Sequence, residues 1–155
     1  MNILKQKLAI KSLNIQVILL IIIPVLYIST LYFVTSVSEI TTRQYLENNL
    51  SETLELLSVS CYLISAVIVS KYKKQLNQKY LLLSYLIIFI SNIINFNIII
   101  VGFMGMYIKS FIKLKEIKSY FKELRKDTGK TSLTISITIL SLSVLIAYIK
   151  FTINI

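Results

Sequence analysis

The side chains that perform catalysis or bind metals are scarce in this 155-residue chain. It has no histidine, one cysteine and seven acidic residues, so a histidine-based acid–base pair or zinc site cannot be assembled. Cys61 lies in the apolar run 57–69, where a thiol behaves as a small hydrophobic group rather than as a nucleophile. We therefore predict that the chain is not an enzyme and has no catalytic, cofactor-binding or metal-binding residues.

A first group of charged residues lies in segment 39–56. Leucines recur there every three or four residues, which predicts a short acidic amphipathic helix or a helical extension of the apolar segment that follows. An acidic surface raises the local concentration of a cationic partner. Possible contacts for such a partner are therefore Glu39, Arg43, Glu47, Glu52 and Glu55.

A second group of charged residues lies in segment 109–130, which has eight basic and three acidic residues. Between 109 and 126 apolar residues recur at intervals of three or four, which predicts a basic amphipathic helix lying in the membrane interface. Its basic side chains favour anionic lipid, or a partner protein, over nucleic acid. Possible contacts on this helix are Lys113, Lys118, Lys122 and Arg125.

The composition is that of an integral membrane protein. Hydrophobic residues make up 55% of the chain and charged residues only 15%, against about 25% charged in soluble domains. We predict an all-α polytopic membrane protein, in which residues 1–155 form one membrane domain with four to five hydrophobic segments in a small helical bundle.

Apolar tracts define the predicted spans. Three are read as single helices at about 15–37, 54–70 and 133–149. The last alternates Ser or Thr with aliphatic residues, a pattern typical of strands, but a lone strand cannot satisfy its backbone in lipid. The remaining tract is either one long helix, 80–108, or a hairpin of 76–91 with 96–112.

The distribution of positive charge favours the hairpin. Lysine and arginine accumulate on the cytoplasmic side of membrane proteins. With a cytoplasmic N-terminus, one crossing by the tract places eight basic residues inside and nine outside, whereas a hairpin places fifteen inside and two outside. We therefore predict a multi-pass protein of the cell membrane with its N-terminus in the cytoplasm.

Within the spans the polar side chains are small and neutral. No acidic or basic residue lies in the interior of a span, which argues against a proton-coupled transporter or an ion channel. Small polar residues form stripes at helical spacing that we interpret as helix-packing surfaces. One stripe is Ser58, Cys61 and Ser65; two more lie on the last span, Thr134, Thr138 and Ser141 on one side and Ser132, Ser136 and Ser143 on the other.

These features favour function by interaction. The abundance of Ile, Lys and Asn is typical of an AT-rich bacterial genome. In size and build the chain is similar to the small polytopic membrane proteins that low-GC bacteria encode beside peptide-antibiotic or toxin systems, a resemblance of type that transfers no residue. We expect immunity to, or export of, a membrane-active peptide, with lipid and either a cationic peptide or another membrane protein as partners. The alternatives are a membrane subunit of a transport complex and a pore-forming lysis protein.

Overall fold

The computed structural model describes residues 3–76, 78–112 and 130–153. In these residues the chain forms helices and no strands, so the all-α prediction is confirmed for them. The helices are α1 (Ile3–Val37), α2 (Thr42–Asn48), α3 (Leu50–Lys74), α4 (Lys79–Ile94), α5 (Ile98–Phe111) and α6 (Lys130–Ile153). Most of the basic amphipathic helix predicted at 109–126 lies outside the described residues.

Three of these helices are long and apolar enough to cross a membrane: α1, α3 and the part of α6 from Thr131 to Ile153. On length and composition the chain therefore has the build of a membrane protein. The predicted count of four to five spans needs correction, because α4 and α5 have only 16 and 14 residues. At about 1.5 Å per residue they measure roughly 24 and 21 Å, which is shorter than a hydrocarbon core of about 30 Å.

The tract 80–108 is two helices and not one. The chain leaves α4 after Ile94 and enters α5 at Ile98. Asn97 caps the new helix, since its side-chain oxygen accepts a hydrogen bond from the backbone N–H of Ile100 at 3.3 Å. Across the reversal, a Cβ atom on Gly105 would contact the ring of Phe89 at 3.9 Å, so the two helices pack side by side as a hairpin.

The long helices extend beyond the apolar segments that predicted them. Helix α1 begins at Ile3 rather than near residue 15, and α3 and α6 each gain several residues at both ends. In the first turns of α1, Ala9 and Leu13 are fully buried. The lysine-bearing N-terminal segment therefore packs on the bundle through these two residues, whereas Ile3, Leu4 and Leu8 are more than half exposed. Helix α1 also continues on both sides of Pro24.

One end of the bundle, which we call the basic end, joins the start of α1 to the end of α3 and the start of α6. The Lys73 ammonium donates a hydrogen bond to Asn14 Oδ1 at 2.9 Å, and a cavity lies between Lys71 and Thr131. The lysines of this end are Lys5, Lys7, Lys11, Lys71, Lys73, Lys74, Lys79 and Lys109. All four glutamates of the described residues belong to the opposite end, which we call the acidic end. Segment 113–129 is thus flanked on both sides by residues of the basic end.

Neutral polar side chains join the helices in the interior near the basic end. The fully buried amide of Gln16 accepts a hydrogen bond from the Tyr85 hydroxyl at 2.8 Å and donates one to the Phe103 carbonyl at 3.3 Å. The Tyr85 ring packs against those of Tyr72 and Tyr107, with ring centroids 5.2 and 5.3 Å away. This cluster connects α1, α3, α4 and α5 through buried side chains, where a hydrogen bond is electrostatically stronger than in water.

The small-residue stripes differ in their packing. All three residues of the α3 stripe are buried. On α6 the stripe Ser132, Ser136 and Ser143 is buried, and Ser143 hydrogen-bonds with Ser91 and accepts a second bond from Asn95 at 3.1 Å. The other α6 stripe is exposed, and the hydroxyls of Thr138 and Ser141 donate to carbonyls of their own helix. The two stripes lie on different faces of one helix, and among the described residues the face with Ser132, Ser136 and Ser143 is the buried one.

Candidate interaction surface at the acidic end

The residues predicted to contact a partner fall in three structural settings. Glu39 lies in the turn after α1, Arg43 and Glu47 lie on α2, and Glu52 and Glu55 lie in the first two turns of α3. The leucine pattern predicted either a short separate helix or an extension of the next span. Segment 39–56 contains both, since α2 is a separate helix and the start of α3 extends the span. The basic candidates Lys113, Lys118, Lys122 and Arg125 lie outside the described residues.

Helix α2 is held by its caps rather than by a buried face. It has seven residues, none of them buried. The Thr41 hydroxyl accepts a hydrogen bond from the Gln44 N–H at 3.3 Å, and the Gln44 side chain accepts one from the Thr41 N–H at 3.2 Å, a capping box. The Thr53 hydroxyl then donates to the Leu46 carbonyl at 2.8 Å and joins α2 to α3. This T-x-x-Q motif was a sequence signal for the start of α2 that the leucine pattern alone did not reveal.

Two glutamates of the acidic end are open to solvent. Glu47 accepts a hydrogen bond from the Arg43 guanidinium at 2.7 Å, with 58% of the Glu47 side chain and 87% of the Arg43 side chain exposed. Such a pair contributes little to folding and can exchange partners. Glu39 is exposed, with a backbone φ of 56°. Both carboxylates are thus accessible to a cationic partner.

The other two glutamates join helices to one another, and their contact with a partner stays a prediction. The Tyr27 hydroxyl donates to a Glu52 carboxylate oxygen and to the Glu52 backbone carbonyl, each at 2.9 Å, and so joins α1 to α3. The Lys150 ammonium donates to the Glu55 carboxylate and joins α6 to α3. Glu55 keeps 43% of its side chain exposed in this pair.

Tyr27 and Lys150 are the partners that sequence reasoning missed. A usable signal exists for Lys150, the one cation near the end of the last apolar segment. A buried or half-buried ammonium requires an anionic partner, and Glu55 stands at the start of another apolar segment. If the two segments run in opposite directions, these charges reach the same depth. No comparable signal marks Tyr27, since a tyrosine at the membrane interface needs only water.

An apolar cavity of about 310 Å³ opens between the end of α4 and the last turns of α6. Its walls include Phe96 and Phe151, each 84% exposed, together with the aliphatic side chain of Ile146. Lys150 also lines the cavity. The ion pair of Lys150 with Glu55 therefore lies at the border between an apolar recess and the acidic surface.

Phe96 adopts an unfavourable backbone conformation beside this cavity. Its φ is +53°, in the left-handed region that glycine or asparagine occupies at lower cost. The strain costs about 1 kcal/mol for an ordinary residue, and it keeps a large aromatic ring in an exposed position. Strained residues concentrate at sites that bind or catalyse.

Comparison of the chain with protein-family models, with curated proteins and with solved structures finds no match. Any assignment of function to this chain therefore depends on the geometry and charge of the two ends of the bundle.

Proposed function

We propose that this chain is a multi-pass protein of the bacterial cell membrane that binds a cationic, membrane-active peptide at its acidic end, in immunity to that peptide or in its export. The observation that carries the proposal is the contact of the Glu55–Lys150 ion pair with the apolar cavity beside Phe96 and Phe151. An amphipathic cationic peptide presents apolar and basic side chains together, and this surface offers a complementary arrangement of both.

Binding would exchange one cation for another. A peptide lysine takes the place of Lys150 at the half-exposed Glu55 carboxylate, while a neighbouring apolar side chain enters the cavity of about 310 Å³. Glu39 and Glu47 do not hold the helices together, so they act by attraction over distance. The predicted signature is an association rate that falls steeply as salt is added.

The charge asymmetry of the bundle supports an outward-facing acidic end. Eight lysines with described side chains stand at the basic end, and the four described glutamates stand at the other. Under the positive-inside rule the basic end faces the cytoplasm. The acidic end then faces the side from which a secreted peptide arrives, or to which an exported one leaves.

Binding is tested with the full-length protein in zwitterionic nanodiscs and a labelled synthetic helix of leucine and lysine as the probe. We expect fluorescence anisotropy to show binding above that of empty nanodiscs. The double variant Glu39→Gln/Glu47→Gln is expected to bind several-fold more weakly at low salt, with the difference lost at high salt. Its matched control is Lys5→Gln/Lys7→Gln, which changes the same number of charges at the basic end. Equal affinity for all three proteins would contradict the charge argument.

A second variant tests the apolar part of the surface. Phe96→Asn removes the exposed ring and places at this positive φ a residue that adopts it at lower cost. We therefore expect a protein that is at least as stable as the parent and that binds the probe more weakly. In cells, expression should raise the survival of a sensitive bacterial strain exposed to the same peptide, and Phe96→Asn should reduce that protection. If the peptide kills cells equally with and without the protein, immunity is excluded as the function. If the protein binds the peptide in nanodiscs but does not protect cells, export is the function that remains.

The alternative functions have less support. A transport-complex subunit was predicted to dock through segment 109–130, most of which lies outside the described residues. A pore needs a polar path, but in the described helices the interior is filled by fully buried side chains such as Leu20, Ile88, Ile100 and Met104. Proteoliposomes that leak a small dye on addition of this protein alone would favour the pore.

A further inference from the structure

A second cavity, of about 350 Å³, lies at the basic end between the end of α3, the start of α4 and the start of α6. Its walls are largely polar. They include Lys71 and Lys74 and the hydroxyl-bearing residues Thr131 and Ser132. Its volume falls in the range of small-molecule sites, about 300 to 1,000 Å³.

The two lysines of this cavity have no anionic partner among residues 3–76, 78–112 and 130–153. Neither Lys71 nor Lys74 forms an ion pair with another described residue, and none of the four described glutamates lies at this end of the bundle. Other lysines do have partners; the Lys73 ammonium, for example, donates to Asn14. Two lysines that line one polar cavity, with no counter-charge from the part of the chain that the structure describes, provide a favourable site for an anion.

The start of α6 adds donors to the same cavity. Helix α6 begins at Lys130, so Thr131 and Ser132 belong to its first turn, where backbone N–H groups have no carbonyl partner within the helix. These N–H groups and the positive end of the helix dipole favour phosphate in particular, which has several acceptor oxygens. Tyr80 and Gln75 complete the polar wall.

We propose that this cavity binds the phosphate of an anionic phospholipid headgroup. Lipid is favoured over a soluble phosphate compound because the face of α3 that carries Lys71 continues away from the cavity as exposed apolar surface. Val67 and Ile64, one and two turns before Lys71 on the same face, are 56% and 45% exposed. An acyl chain can lie along these residues while the phosphate occupies the cavity, a geometry typical of basic pockets between membrane helices.

The test uses native mass spectrometry of the full-length protein in a mild zwitterionic detergent, titrated with phosphatidylglycerol and, separately, with phosphatidylcholine. We expect one phosphatidylglycerol molecule to be retained per chain and phosphatidylcholine to be retained much more weakly. Lys71→Gln/Lys74→Gln should weaken phosphatidylglycerol binding about 30-fold, from roughly 1 kcal/mol per lysine near a membrane surface. Lys71→Arg/Lys74→Arg should restore most of it.

Two controls separate this site from other sources of binding. Lys5→Gln/Lys7→Gln removes the same charge from exposed positions at the same end, outside the cavity, and should leave the affinity within about twofold. Equal losses in the two double variants would overturn the proposal in favour of diffuse attraction to the basic end. Competition with glycerol phosphate tests whether the bound phosphate belongs to a lipid or to a soluble compound. Failure of glycerol phosphate to displace the lipid supports a lipid site. Displacement at low millimolar concentration would overturn lipid as the ligand in favour of a soluble phosphate compound. The peptide-binding variants at the other end leave this affinity unchanged, so the two proposals fail independently.

Discussion

At the basic end of the bundle a buried network of neutral side chains joins α1, α4 and α5, whereas at the acidic end two partly exposed glutamates join helices. Gln16, Tyr85 and the Phe103 carbonyl link α1, α4 and α5 through buried hydrogen bonds, while the lysines of that end stay outside this network. At the acidic end Glu52 and Glu55 link α3 to α1 and α6 through Tyr27 and Lys150.

This difference assigns different roles to the charges of the two ends. Lysines that hold no helices together at the basic end can interact with lipid and set the orientation of the chain without cost to the fold. Carboxylates that hold helices together cannot be exchanged for neutral groups so freely. Of the four described glutamates, Glu39 and Glu47 do not join helices to one another. These two therefore carry the proposed long-range attraction.

The largest effect on stability is expected from the neutral network. Gln16→Leu leaves the Tyr85 hydroxyl and the Phe103 carbonyl without their buried partner, at a cost of about 2 kcal/mol. Thermal unfolding in detergent measures the change. Ser12→Ala is the matched control, because Ser12 touches Gln16 only through a long 3.4 Å bond and should cost little. Similar losses in both variants would show that this network does not hold the basic end together.

A smaller effect is expected when the ion pair of the acidic end is broken. Lys150→Gln should cost about 0.5 to 1 kcal/mol at low salt, discounted because both partners are partly exposed. Added salt should reduce the difference between the variant and the parent, whereas it should leave the cost of Gln16→Leu unchanged. Lys109→Gln is the control, since Lys109 is an exposed lysine of the basic end and should have no measurable effect on unfolding. A salt-independent cost for Lys150→Gln would remove the contrast between the ends.

Sequence reasoning recovered the features that lipid imposes directly. Long apolar runs must be helical where water cannot satisfy the backbone, so α1, α3 and α6 were predicted, including α6 with its period of two. The interruption of the tract 80–108 was favoured by the distribution of positive charge, and the structure places it at 95–97. The bounds of the helices were predicted less accurately, because hydropathy does not detect a helix end that contains charged residues. The lysine-bearing start of α1, for example, packs on the bundle through Ala9 and Leu13.

The long-range polar contacts could not be predicted in the same way. Gln16 bonds with Tyr85 across 69 positions, and Glu55 pairs with Lys150 across 95. Which residues lie at the same depth depends on the register of the helices. Packing of apolar side chains fixes that register, and a single sequence does not show which apolar residues pack together. Glu52 and Glu55 were therefore predicted as contacts for a partner, and their bonds to Tyr27 and Lys150 were not predicted.

The smallest effect on stability is expected at the exposed pair of Arg43 and Glu47 on α2. Like most lysines of the basic end, these two side chains do not join one helix to another. Arg43→Gln should change the free energy of unfolding by less than about 0.5 kcal/mol, since the pair with Glu47 is almost fully solvated. The same change makes the acidic end more negative by one charge and frees the Glu47 carboxylate. Binding of the leucine–lysine probe should then become about two- to threefold tighter at low salt, mainly through a faster association rate. Gln44→Ala, on the same helix, changes no charge and weakens its cap, so it separates the effect of charge from that of helix α2 itself. If Arg43→Gln weakens binding instead, the guanidinium itself contacts the peptide, and the acidic end recognises more than positive charge.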